Sequence, residues 1–134
     1  MAGDGQVMVG WTITDTNIRK IRRLDDGRIV GAAGSASTLS QACDWFEGVV
    51  KEKPKIDEDS CLLMLHPDGR LEYYGSNLVA IPGNAPQAIG SGMSFALAAM
   101  DMGASAKQAV EAAAKRCAGT GGDIVSLAID GNDE

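Results

Sequence analysis

Asn17-Ile18-Arg19-Lys20-Ile21-Arg22-Arg23-Leu24-Asp25-Asp26-Gly27-Arg28-Ile29-Val30-Gly31-Ala32-Ala33 reads as two strands joined by a tight turn. Ile18, Lys20, Arg22 and Leu24 fall on one face at the period of a strand. Asp25-Asp26-Gly27 is a hairpin turn, and Arg28–Ala33 makes the apolar returning strand. A hairpin commits the chain to antiparallel pairing, and the signal recurs. Cys61–Leu65 is a continuous apolar run too short for a helix, and Pro67-Asp68-Gly69 turns it back into Leu71–Tyr74.

Working outward, Met1-Ala2-Gly3-Asp4-Gly5-Gln6 reads as a strand end running into a glycine-rich turn, and Val7–Ile13 is extended. Gly34-Ser35-Ala36-Ser37 breaks the strand before a helix. Thr38 and Gln41 have capping-box spacing, and Leu39, Ala42, Cys43, Phe46, Val49 and Val50 form its apolar stripe. After Leu78–Ile81, a loop rich in Pro, Gly and Asn leads through Gly90-Ser91-Gly92 to a helix over Met93–Met102, with Ser91 as its N-cap. Ser105 and Gln108 open a second Ala-rich helix that closes at Lys115-Arg116, and Asp123–Asp130 is a last strand. Strands, helix, strands, two helices and a strand give an α+β layered fold in one domain spanning residues 1–134.

Composition narrows the function classes. A net charge of −6 argues against a nucleic-acid or membrane-surface binder, and no apolar run reaches the roughly 18 residues of a membrane span. Cys43, Cys61 and Cys117 are odd in number and set in apolar surroundings, which reads as buried free thiols in a reducing compartment. No secretion signal opens the chain, so the expected location is the cytoplasm. His66 is the only histidine and reads as a solvated turn residue rather than a metal ligand. Gly90-Ser91-Gly92 before a helix could cradle a phosphate, but no Lys-Ser/Thr follows it.

Several strings, in order along the chain, resemble the proteasome β-subunit family of N-terminal nucleophile (Ntn) hydrolases, closest to its HslV type. They are Ala2-Gly3-Asp4-Gly5-Gln6, Asn17–Leu24, Ile29–Gly34, Ile89-Gly90-Ser91-Gly92 and Gly122-Asp123-Ile124. The resemblance implies an αββα four-layer sandwich of two antiparallel sheets and a threonine-type peptidase. Its nucleophile would be an N-terminal threonine whose own α-amino group is the base. It also implies self-association as a dimer or ring and an AAA+ unfoldase partner, with no nucleic acid and no membrane. No cofactor is implied beyond Na⁺ or another monovalent cation.

By the same resemblance, Lys20 matches the lysine beside the nucleophile and Asp4 the aspartate that pairs with it. A cation held there would stabilise an alkoxide and keep a neighbouring amine neutral. Lys20 also reads as one of five basic residues from Arg19 to Arg28 on a solvated hairpin. Gly31 matches a glycine whose N–H forms the oxyanion hole, and reads equally as a strand bulge. Ser91 matches a serine near the nucleophile's amine, and Asp123 and Ser126 match partners in some members. The carbonyls of Gly122, Val125 and Ala128 match a monovalent cation site in some relatives.

Two departures modify the expectation. The family's first strand, with its threonine, has no counterpart ahead of Ala2, so the fold is expected to be N-terminally truncated and the 134-residue chain inactive. Either the start lies upstream and supplies the nucleophile, or the chain is a non-catalytic assembly or scaffold protein, possible in a phage-type relative. Between Lys51 and Cys61 the chain crosses where relatives carry a second long helix, so one helical layer is expected to be shortened.

Overall fold

A computed structural model describes residues 1–133. Nine short strands and three helices follow one another: β1 Ala2–Gly3, β2 Val7–Val9, β3 Thr12–Asp15, β4 Ile21–Arg23, β5 Ile29–Ala33, α1 Thr38–Phe46, β6 Cys61–Leu65, β7 Leu71–Tyr74, β8 Ala80–Gly83, α2 Met93–Asp101, α3 Ala106–Arg116 and β9 Val125–Ser126. β4 to β8 form one antiparallel sheet in sequence order, each strand hairpinned to the next except for the α1 crossing. β1 pairs with β9, and β2 with β3, as two further antiparallel ribbons. The architecture is α+β and proteasome-like, a large sheet with a reduced second sheet against it and helices outside. Among the described residues no helix is long and apolar enough to cross a membrane.

The two faces of the large sheet are treated differently. Leu24, Val30, Leu62, Met64 and Tyr74 point to one side, where Leu39, Ala42 and Cys43 of α1 close the main core with Leu78. Each such large apolar side chain contributes about 1.5–3 kcal/mol by leaving water. On the opposite face Ile21 and Ile29 are buried, and the β1 ribbon lies over them: a Cβ on Gly3 would stand 3.1 Å from Ile21 Cγ2.

Three expected elements came out shorter or broken. α1 ends at Phe46 because Gly48 takes a left-handed φ of +75°, so Val49 and Val50 leave the stripe and are exposed. The Thr38–Gln41 capping box does not form: Ser37 is the N-cap and is itself helical, while the buried Thr38 hydroxyl bonds Ser60 Oγ at 2.9 Å. Val7–Ile13 folds back on itself at Gly10, where φ is +59°. Asp123–Asp130 keeps strand pairing only at Val125–Ser126, opposite Gly3 and Ala2. The Ser105–Gln108 box does form, with both reciprocal hydrogen bonds. Lys51 to Ser60 crosses without a helix, tucks Ile56 against the core and buries Ser60 beside Thr38.

Candidate functional site

The site is organised by the loop after α3. Residues 117–123 run between the Asp4–Gln6 turn, the Thr16–Asn17 bend and the Ser91–Gly92 loop. Gly5 gives its N–H to the Gly121 carbonyl at 3.1 Å and its carbonyl accepts from Ile18 N at 3.0 Å. A side chain at Gly5 would collide with Thr16, whose carbonyl oxygen lies 2.5 Å from where a Cβ would stand. Buried Gln6 donates from Nε2 to the Ala118 carbonyl at 2.7 Å, and Asp123 donates its N–H to the Thr16 carbonyl at 2.7 Å.

Into this frame the sequence delivers its ion pair. Lys20 Nζ donates to Asp4 Oδ1 at 2.8 Å, with the side chains 28% and 13% exposed. Asp4 Oδ2 accepts from Gly121 N at 3.0 Å, so each carboxylate oxygen has its own donor. Lys20 sits just before β4 rather than within it, which frees its side chain from strict alternation and turns it toward β1. A part-buried ammonium needs such a partner, because desolvation without one costs several kcal/mol. The pair therefore fixes a positive charge at a defined place, suited to stabilising an oxyanion or alkoxide.

The remaining candidates are placed less uniformly. Gly31 lies in mid-strand: Ala32 N bonds the Lys20 carbonyl, so antiparallel alternation turns the Gly31 N–H toward Leu63 of β6. That register sets its donor in the sheet ladder. What Gly31 contributes is room, since Met1 Sδ occupies a point 2.8 Å from where its Cβ would be. Ser91 is exposed and is not an N-cap; Gly92 holds that position, with no side-chain cap. Asp123 is exposed and joins the frame through its main chain. Val125 lies in β9, and Gly122 (φ +72°) packs on Thr16. The Ala128 carbonyl accepts from Arg23 Nη1 and from Gly131 N, both at 3.0 Å, so a cation set that includes it would meet a guanidinium. Among the described residues no three His, Cys, Asp or Glu side chains gather as a metal set.

Three features escaped the sequence. Gln6, Gly121 and Thr120 complete the frame, yet nothing local distinguishes them; only Gly119-Thr120-Gly121-Gly122 as a glycine-rich stretch hinted at close backbone approach. Cys117 is half-buried rather than enclosed in apolar surroundings, and the neighbouring Thr120 and Ser91 hydroxyls hold its thiol below the usual range. His66 is not solvated: it pairs with Glu72 across the β6–β7 hairpin. A groove of about 480 Å³ between α2 and α3 is lined by Phe95, Ala98, Gln108 and Lys115 among others and by none of the candidate residues.

No protein-family model matches the chain. It is 34% identical over 119 residues to the ATP-dependent protease subunit HslV of Pseudothermotoga lettingae, covering 74% of this chain and 68% of that protein. Against the ATP-dependent protease subunit HslV of Caulobacter vibrioides it is 30% identical over 158 residues, covering 92% and 84%. The crystal structure of eukaryotic HslV from Trypanosoma brucei superposes with a TM-score of 0.70 at 23% identity, over 92% of this chain and 89% of that one, and speaks to the fold alone. With the sequence similarity to two subunits of one protease and the shared architecture, the chain belongs to the HslV family of ATP-dependent protease subunits.

Proposed function

We propose that the chain is the body of a cytoplasmic threonine-type peptidase subunit, which self-associates and receives substrate from an AAA+ unfoldase. The observation that carries the reading is the Lys20–Asp4 pair, half-buried and locked by Gly121. In this reading the nucleophile is an N-terminal threonine on residues ahead of Ala2, brought to rest beside Lys20. Its hydroxyl oxygen attacks the scissile carbonyl carbon while its own α-amine takes the proton. The same proton then goes to the leaving amine as the C–N bond breaks, and water hydrolyses the ester. Lys20 stabilises the developing alkoxide and keeps the amine neutral, Asp4 holds Lys20, and Ser91 orients the amine.

The alternative is a non-catalytic assembly role. Intact mass and N-terminal sequencing of the protein expressed from its native locus, with cleavage of fluorogenic peptides, separates the two. A longer product opening with Thr, inactivated by Lys20→Ala, is the expected result. A native product starting at Met1 or Ala2 that cleaves nothing would overturn the peptidase reading.

A further inference from the structure

Where the 117–121 loop meets the head of α2, two segments are notched to receive each other's hydroxyls. Ser91 Oγ lies 2.6 Å from where a Cβ of Gly119 would stand, and Thr120 Oγ1 lies 2.6 Å from where a Cβ of Gly92 would stand. The two contacts are reciprocal: the neighbour of each glycine fills the notch of the other. Gly92 has φ −90°, open to any residue, so room rather than conformation demands glycine there. The Cys117 sulfur lies 3.8 Å from the same point over Gly119, beside Ser91, and the Thr120 and Ser91 hydroxyls both hold its thiol low. The next residue, Gly121, donates to Asp4. One short segment thus touches Ser91 at one end and the Lys20 ion pair at the other.

We propose that Thr120 is a positioning residue: seated in the Gly92 notch, it fixes the loop so that the Ser91 hydroxyl stands in register with the Lys20–Asp4 pair. The relevance to catalysis rests on the peptidase reading above, whereas the clasp itself is a statement about geometry and is tested apart from activity. Without the Thr120 hydroxyl the Ser91 loop slides, and Ser91 leaves both Gly119 and the Cys117 thiol.

Cys117 reports the clasp. Iodoacetamide labelling of the full chain, resolved per cysteine by peptide mass spectrometry across pH, is measured for wild type, Thr120→Val, Thr120→Ser, Ser91→Ala and the double variant Thr120→Val/Ser91→Ala. Each single removal of a hydroxyl should slow Cys117 labelling near neutral pH by about two- to tenfold, the range of one hydrogen bond. Thr120→Ser should stay at the wild-type rate. If Thr120 positions Ser91, the double variant is no slower than the slower single, because Ser91 has already left. Effects that multiply in the double, or a Thr120→Val rate equal to wild type, would overturn the proposal. Buried Cys43 must remain protected throughout; where it does not, Gly119→Ala, which sets a methyl against Ser91 Oγ, takes the place of Thr120→Val and should give the same non-additivity. In peptide cleavage by the longer native-locus product, Thr120→Val should lower kcat with KM within about twofold, and Thr120→Ser should restore it. A protein that cleaves no peptide would sink the peptidase reading, while the labelling cycle still decides the clasp.

Discussion

Asp4 serves two donors and Lys20 one acceptor, and this asymmetry orders the consequences of removing each. Asp4→Ala strands Gly121 N and a part-buried ammonium together, whereas Lys20→Ala leaves a carboxylate that still accepts from Gly121. Urea unfolding should show Asp4→Ala costing about 1–3 kcal/mol and Lys20→Ala less, with Asp4→Asn between them. Equal losses would mean that the Gly121 contact adds nothing. The three thiols give a second residue-scale test. Cys117 is held low by the Thr120 and Ser91 hydroxyls, burial raises Cys61, and burial pushes Cys43 up to about 11. Alkylation on raising the pH should therefore proceed from Cys117 to Cys61 to Cys43. Cys43 also sets a stability trend: between its ordinary value of 9.0 and about 11 the unfolded thiol loses its proton while the folded one keeps it. The folded state then binds more protons, so stability falls as pH rises through that window, a slope that Cys43→Ala should flatten.

Elements formed where sequence chemistry and tertiary demand agreed. Asp26 and Asp68 each accept from the backbone N–H two residues on, so both Asp-Gly turns close as read and fix the antiparallel order of the large sheet. The Ser105–Gln108 box was legible because its two hydrogen bonds are local and need no other part of the chain. Ser105→Ala should lower stability by about 1 kcal/mol, whereas Gln41→Ala in the unformed box should change it by less than about 0.5 kcal/mol, both by thermal or urea denaturation. Thr38 shows why identical spacing fails: its hydroxyl is claimed by Ser60, more than twenty residues away, a partner no local window contains. The same limit governs the site. Lys20 and Asp4 were legible through family strings, yet the loop that unites them with Ser91 is built from glycines and main-chain groups whose meaning is set by what approaches them. The direction of the Gly31 N–H was not legible for a related reason, since it depends on strand register, which the residue alone does not carry.

At the scale of the molecule, the burial that makes a subunit is unevenly completed. One face of the large sheet is sealed by α1, while among the described residues the β2–β3 ribbon pairs only with itself and holds Val9, Trp11 and Ile13 at 69%, 94% and 53% exposure. From Val7 to Thr14 this ribbon carries no charge, in a chain of net −6. An uncharged ribbon with a bare indole at its tip is an expensive surface to leave in water, and contiguous exposed apolar groups of this kind mark contact sites. Under the proposed subunit role, the ribbon meets a second copy of the chain. Trp11→Lys should then shift sedimentation velocity profiles toward smaller species at a given concentration, while the thermal transition of the fold stays within a few degrees. The wild-type emission of Trp11 should move to shorter wavelength as concentration rises, read in a Trp45→Phe background so that the second indole does not contribute. If Trp11→Lys sediments as wild type does, the ribbon is not the contact, and association would have to be carried by the α2–α3 face, where Met93, Phe95 and Met102 are exposed.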